Sequence, residues 1–238
     1  MGVGDGLEIQ NAGWRFRGDV VAKFDEHVSK SVPFYREGHE LVCSLSDWFV
    51  KDGSTCYDLG CSTGTLTLAL ADRNEHKERV SFVGIDSEEE MVQRAREKQE
   101  QAGAANVRFL VDDIAQVELE PCDLVTSYYA IQFVRPSVRQ ELIDKVYRSL
   151  QWGGAFLLFE KVRGADARFQ DILTGLYTDF KLAQGYSAEE IVGKSRSLKG
   201  VLEPFSSQGN LDLLRRAGFV DIMTVMKYVC FEGFLAIK

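Results

Sequence analysis

The seven residues from Asp58 to Gly64, DLGCSTG, constrain this chain more than any other segment. They join a strand-like run, Thr55 to Tyr57, to a helix-like one, Leu66 to Ala71. A tight glycine turn at such a junction brings bare backbone amides close to a ligand, and a carboxylate at its start accepts hydrogen bonds from that ligand. The turn marks a nucleotide-type pocket. A second strand-like run, Val80 to Ile85, ends in Asp86, 28 positions after Asp58 (86 − 58). That spacing accommodates a crossover helix and a second parallel strand, and an acid placed there suits the two hydroxyls of a ribose.

The same alternation continues along the chain. Thr55 to Asp58, Ser81 to Ile85, Val107 to Val111, Leu124 to Tyr128 and Ala155 to Glu160 read as buried strands. Helical stretches such as Glu88 to Gln101 and Ser137 to Leu150 separate them, the latter with Val138, Leu142, Ile143, Val146, Tyr147 and Leu150 on one face. Repeated βα units imply an α/β fold with a doubly wound, mostly parallel sheet, whose ligands sit at the carboxyl ends of the strands. Ahead of the first strand, Gly13 to Ser31 and Tyr35 to Phe49 predict two helices interrupted at Pro33, a helical cap over residues 1–50. After the fifth strand, Val162 to Ser206 is too long for a plain connection. It predicts a helical lid over 162–206, with an apolar stripe from Phe169 to Phe180 read as core and a capping box at Ser187 to Glu190. A helix from Leu211 to Ala217, stopped by Gly218, and two strands around Tyr228 to Lys238 complete one domain over residues 1–238.

Charge and cysteine usage narrow the partners. With 28 basic against 36 acidic residues the net charge is −8, and no lysine or arginine block occurs. Phosphate neutralisation dominates nucleic-acid affinity, so direct nucleic-acid binding is not expected and a small-molecule acceptor is. The five cysteines are scattered without a C-x-x-C pair and only three histidines are present, which argues against a metal site and for buried free thiols in a reducing cytoplasm. Neither a leader pattern nor a run of 18 apolar residues is seen, so a membrane association is not expected.

A dinucleotide-binding dehydrogenase prefers G-x-G-x-x-G, whereas Asp58, Gly60, Ser62 and Gly64 spell D-x-G-x-S-x-G. That pattern, with Asp86, resembles the S-adenosylmethionine site of class I methyltransferases, whose Rossmann-like seven-stranded sheet carries an antiparallel last strand. In that setting Asp113 and Ile114 suit the adenine, the first accepting its amine and the second packing on the ring. A plain helix N-cap is the other reading of Asp113.

A closer resemblance covers nearly the whole chain. FDEHVSKSVPFY (Phe24 to Tyr35), YDLGCSTG (Tyr57 to Gly64), IQF (Ile131 to Phe133), DFKLAQGYS (Asp179 to Ser187) and LAIK (Leu235 to Lys238) are similar to the bacterial carboxy-S-adenosylmethionine synthase family. The resemblance implies S-adenosyl-L-methionine held by Tyr35, Gly60, Cys61, Ser62, Asp86, Asp113 and Ile114, and a homodimer. It further implies a carboxyl group taken from prephenate onto the cofactor's activated methyl, the product serving wobble-uridine modification of transfer RNA. Three positions depart from the family pattern. Ser195 occupies the place of its carboxylate-gripping arginine and Arg196 is displaced by one residue, about 100° of turn on a helix. Phe34 stands for a glycine and Tyr128 for an asparagine.

On these departures the expected reaction is ordinary in-line methyl transfer to a small acceptor. Carboxyl transfer from prephenate and a catalytically silent cofactor-binding module are the alternatives. Methyl transfer needs the acceptor lone pair held opposite sulfur, and a general base only for a hydroxyl, carbon acid or ammonium acceptor. Tyr128 and Glu160, at strand ends, and His27 are the candidate bases; His27 reads more plainly as a buried, hydrogen-bonded helix histidine. Tyr35 and Tyr128 are placed to face the sulfonium, while Tyr35, Tyr129 and Arg196 are the candidate substrate contacts.

Overall fold

A computed structural model describes residues 12–14, 18, 21 and 24–238. Seven strands form one sheet: β1 (Thr55–Leu59), β2 (Ser81–Asp86), β3 (Val107–Val111), β4 (Cys122–Tyr128), β5 (Leu150–Lys161), β6 (Asp221–Tyr228) and β7 (Phe231–Ile237), in the order β3-β2-β1-β4-β5-β7-β6. Pairing is parallel from β3 through β5, and β7 runs antiparallel between β5 and β6. The order reverses between β1 and β4, so the carboxyl ends of these strands border the crevice where such sheets bind ligands.

Eight described helices complete the fold: α1 (Phe24–Ser31), α2 (Tyr35–Ser46), α3 (Thr65–Arg73), α4 (Glu89–Ala102), α5 (Arg139–Ser149), α6 (Ala167–Ala183), α7 (Ala188–Ser197) and α8 (Ser207–Ala217). None is long and apolar enough to cross a membrane. The sheet is buried on both faces because its strands alternate between two cores. Ala155, Leu157 and Phe159 of β5 pack with Leu70, Phe82 and Phe109 on one side, and Phe156 and Leu158 pack with Ile143, Val146 and Leu214 on the other.

The expected helix from Gly13 falls largely outside the described residues, and its described part begins at Phe24. Pro33 ends it, and Phe34 adopts a left-handed φ of 55° before α2 starts. The capping box of α7 is present, with the Ser187 hydroxyl accepting from Glu190 N and the Glu190 carboxylate from Ser187 N. Two expectations need correction. The last strand pair begins earlier than Tyr228, because β6 is a half-exposed edge strand with few core contacts to give it an alternating apolar signature. The α6 stripe is only partly core: Leu173 and Tyr177 pack inward, while Phe169, Ile172 and Leu176 are about half exposed.

Candidate active site

A cavity of about 680 Å³ opens at the carboxyl ends of β1, β2 and β4, within the size range of small-ligand sites. Its floor is the glycine turn. Gly60 and Cys61 both donate their N–H to Ile85 O, at 2.8 and 3.0 Å, which holds the turn against β2. At Gly60 φ is 77°, and a Cβ would lie 2.2 Å from the Ala130 side chain, so only glycine fits. Ser62, left-handed at φ 52°, donates its N–H to Asp86 Oδ2 at 2.8 Å. Asp86 also accepts from Glu88 N at 3.0 Å, and burial raises its pKa.

Asp58 lies deeper. Its carboxylate accepts from Thr67 Oγ1 at 2.6 Å and Thr126 Oγ1 at 2.9 Å, and burial pushes its pKa up to about 6 against the pull of those two hydroxyls. Asp113 and Ile114 line the far wall; Asp113 Oδ1 accepts from Ala115 N at 2.9 Å, the turn-capping role weighed above. Tyr35 and Tyr128 meet edge to face at 5.3 Å on the opposite side.

The cover comes from the chain's two helical insertions. Lys98 of α4 donates to Asp25 of α1 at 2.6 Å and to Thr63 and Thr65 of the turn at 2.9 Å each, docking the first insertion onto the cofactor loop. Trp14, His27 and Val28 from that side, and Lys194, Leu198 and Val201 from the second, close the cavity. A bare turn, an acid at the end of each of the first two strands, an apolar wall for a purine and aromatic faces for a cation together fit an adenosyl sulfonium.

A family profile described as a methyltransferase domain matches residues 57–154. The carboxy-S-adenosyl-L-methionine synthase of Staphylococcus epidermidis is 37% identical over 226 residues, covering 94% of this chain and 97% of that protein. The enzyme of the same name from Campylobacter jejuni subsp. doylei is 36% identical over 237 residues, covering 98% of this chain and 99% of that protein. The chain belongs to the carboxy-S-adenosylmethionine synthase family. It is an S-adenosylmethionine-dependent transferase. Solved methyltransferases share its fold: one from Methanococcus maripaludis superposes with a TM-score of 0.63 at 17% identity, covering 98% of this chain and 97% of that one. Another, from Aquifex aeolicus, superposes at 0.59 with 18% identity, covering 93% and 99%. The synthase names of these relatives favour carboxyl transfer over the methyl transfer expected from the sequence.

Within this family member, some of the expected residues line the cavity and others do not. Gly64 does not line the cavity; at φ 74° its Cβ would lie 2.5 Å from the Phe109 ring, so it packs α3 against the core. Arg196 is exposed and absent from the cavity wall, because its step along α7 turns it to solvent while Lys194 turns inward. Tyr128 lines the cavity; its hydroxyl donates to Tyr35 O at 2.9 Å and burial raises its pKa, both of which work against a role as base. His27 is buried between Lys194, on Nε2, and the Tyr186 hydroxyl, 3.5 Å from Nδ1, which is the plainer reading of that histidine. Tyr129 does reach the cavity; it is 7% exposed, left-handed at φ 61°, and its hydroxyl has no hydrogen-bond partner among the described residues.

Glu160 sits behind the cavity wall rather than in it. Burial pushes its pKa up to about 8, only partly offset by the Arg139 guanidinium and the backbone amides of Gln132 and Ile131. It anchors the 3-10 turn Ile131–Phe133 and touches no ligand space. A carboxyl that titrates higher in the folded chain than in the unfolded one contributes stability that is complete below about pH 4.5 and lost as pH rises through about 8. Glu160→Gln is expected to leave stability at about pH 4.5 within ~1 kcal/mol and to raise it by roughly 2–4 kcal/mol at about pH 9. Urea denaturation across that range checks this, and parallel wild-type and variant profiles would contradict it.

Sequence reasoning missed His39, Arg135 and Lys194. His39 packs between Tyr35 and Tyr128, at 4.6 and 4.5 Å, and burial pushes its pKa down to about 4, so a neutral imidazole faces the cavity. The signal available was Gly38: a Cβ there would lie 2.0 Å from the Tyr128 hydroxyl, so a mid-helix glycine marks where α2 meets the cavity wall.

Proposed function

We propose that this chain makes a carboxylated S-adenosylmethionine, moving a carboxyl group from a small carboxylic acid onto the cofactor; the resemblance points to prephenate as that acid. The observation that carries this reading is the division of charge around the cavity. Asp58, Asp86 and Asp113 stand at strand ends, whereas Lys194 and Arg135 come from the covering segments and the loop after β4. Lys194 is 7% exposed, donates to Ser31 Oγ at 2.8 Å and lies 5.1 Å from the Trp14 ring. A lysine and an arginine on the wall of the cavity give the carboxylate of a second substrate cationic groups to meet, on the side away from the three acids.

Bound S-adenosylmethionine supplies a methyl carbon activated by positive sulfur. The chain's share is positional. The Tyr35 and Tyr128 rings on the cavity wall would supply a cation–π face to the sulfonium, a contact of about 0.5–2 kcal/mol. Asp86 would hold the ribose, and the two helical segments over the cavity would keep water from the reacting carbon. Mass spectrometry of the cofactor after incubation with prephenate tests the reading: a species heavier by one carbon dioxide is expected. Cofactor left at its original mass in the presence of prephenate would overturn it.

One observation favours a second reading, methyl transfer to a small acceptor: Ser195 holds the place of the family's arginine, and Arg196 points to solvent. S-adenosylhomocysteine formed only with an added acceptor is its signature. Under either reading Arg196→Ala is expected to change KM for the second substrate less than about twofold, because an exposed side chain off the cavity wall makes no contact to lose. Steady-state kinetics checks this, a tenfold rise being the contrary outcome.

The half-exposed Phe169, Ile172 and Leu176 of α6 support a homodimer, which sedimentation measures. Five buried, unbridged cysteines support a cytoplasmic setting. With a net charge of −8, the protein hands its product on rather than holding transfer RNA itself.

A further inference from the structure

Two lysines converge on one ring just beyond the cavity. Lys161, the last residue of β5, places Nζ 4.3 Å from the Tyr177 ring centroid, and Lys181, one turn further along α6, places Nζ 4.7 Å from the same centroid. The two ammonium groups are therefore within about 9 Å of each other, the sum of those distances. Neither makes a salt bridge or a side-chain hydrogen bond among the described residues. Burial lowers both pKa values, that of Lys181 to about 8, with Lys161 adding to the shift; Arg163 and Lys199 push Lys161 the same way. The group that opposes this shift at both lysines is the Cys230 thiol, itself held protonated by burial, and not a carboxylate.

A single tyrosine ring accounts for one cation, not two that repel each other across it. The Tyr177 hydroxyl is already committed, donating to Ser31 O at 2.8 Å. Lys181 is 6% exposed and Lys161 half-buried, so the pair lies at the margin of the interior. The pair also adjoins the cofactor cavity. Lys161 donates its backbone N–H to Gln132 Oε1 at 3.0 Å, and Gln132 lines the cavity beside Tyr129, whose buried hydroxyl is unpartnered among the described residues.

We propose that Lys161 and Lys181 form an anion site for a small organic carboxylate, adjoining the cofactor cavity through Gln132 and Tyr129. Under the reading proposed above, on which this role rests, it receives a carboxylate of the second substrate. The missing arginine at Ser195 is then answered by a different pair of cations on β5 and α6.

The test uses the full chain with S-adenosylmethionine, prephenate as substrate, and prephenate or succinate as calorimetric probe, on wild type, Lys161→Met, Lys181→Met and Lys181→Arg. Both methionine variants are expected to raise KM for prephenate at least tenfold and to weaken carboxylate binding to match. Cofactor Kd should stay within twofold, and Lys181→Arg should recover most of the loss. Unchanged Kd for S-adenosylmethionine shows that each variant is folded. Wild type that binds carboxylate but forms no carboxylated cofactor, with binding lost in Lys181→Met, upholds the site while removing the synthase reading. Turnover with unchanged KM in both methionine variants, or no carboxylate binding by wild type, overturns the site.

Discussion

Replacing Asp86 by alanine is expected to weaken S-adenosylmethionine binding by about 3 kcal/mol, roughly a hundredfold in Kd. Each hydrogen bond to a charged acceptor contributes about 1.5–3 kcal/mol, and a ribose diol offers two donors to one carboxylate. The same carboxylate holds Ser62 N at 2.8 Å, and Ser62 keeps a left-handed φ of 52° that a serine does not adopt unaided. Losing Asp86 would therefore remove the proposed ribose contact and loosen the turn that shapes the cavity floor. Asp86→Asn, which keeps one acceptor oxygen, should fall between wild type and alanine. Isothermal titration measures all three, and an alanine variant within threefold of wild type would remove Asp86 from the ribose site.

Gly64→Ala should destabilise the fold by about 2–5 kcal/mol, a large share of the roughly 5–15 kcal/mol that holds a domain together. Two terms add. A left-handed φ of 74° costs a residue with Cβ about 1–2 kcal/mol. The new methyl would also sit 2.5 Å from the Phe109 ring and 2.8 Å from the Ala95 side chain, an overpacking cost of about 1–3 kcal/mol. Gly103 provides the control, since it has φ 64° with nothing within 4 Å of its Cβ position. Gly103→Ala should cost only the backbone term, about 1–2 kcal/mol. Equal losses for the two variants in urea denaturation would mean that Phe109 yields freely and the turn is not packed as described.

The glycine turn was legible because its requirement is local. A left-handed φ and a close backbone approach need glycine wherever the motif occurs, and the acid ending the next strand needs only the strand's length. The five parallel strands were legible for a related reason: strands buried on both faces read as short apolar runs. β6 was not, since an edge strand borrows its stability from one neighbour and leaves half its side chains in water. The α6 stripe misled in the other direction. Helical spacing of Phe169, Ile172, Leu173 and Tyr177 states that they share a face, not that anything covers it.

Distances between elements far apart in sequence were out of reach. Lys98 lies 73 residues from Asp25, yet its ammonium ties α1 to the cofactor turn. Lys194 lies 163 residues from Ser31, and their contact puts a cation inside the cavity while Arg196, two positions on, faces solvent. The primary structure alone determined the five parallel strands, the cofactor and the glycine turn, because those rest on backbone conformation and on apolar runs buried on both faces of the sheet. Which cations meet the cavity was decided only by tertiary packing, since the seating of α7 against α1 sets which side of that helix meets the pocket and which meets water.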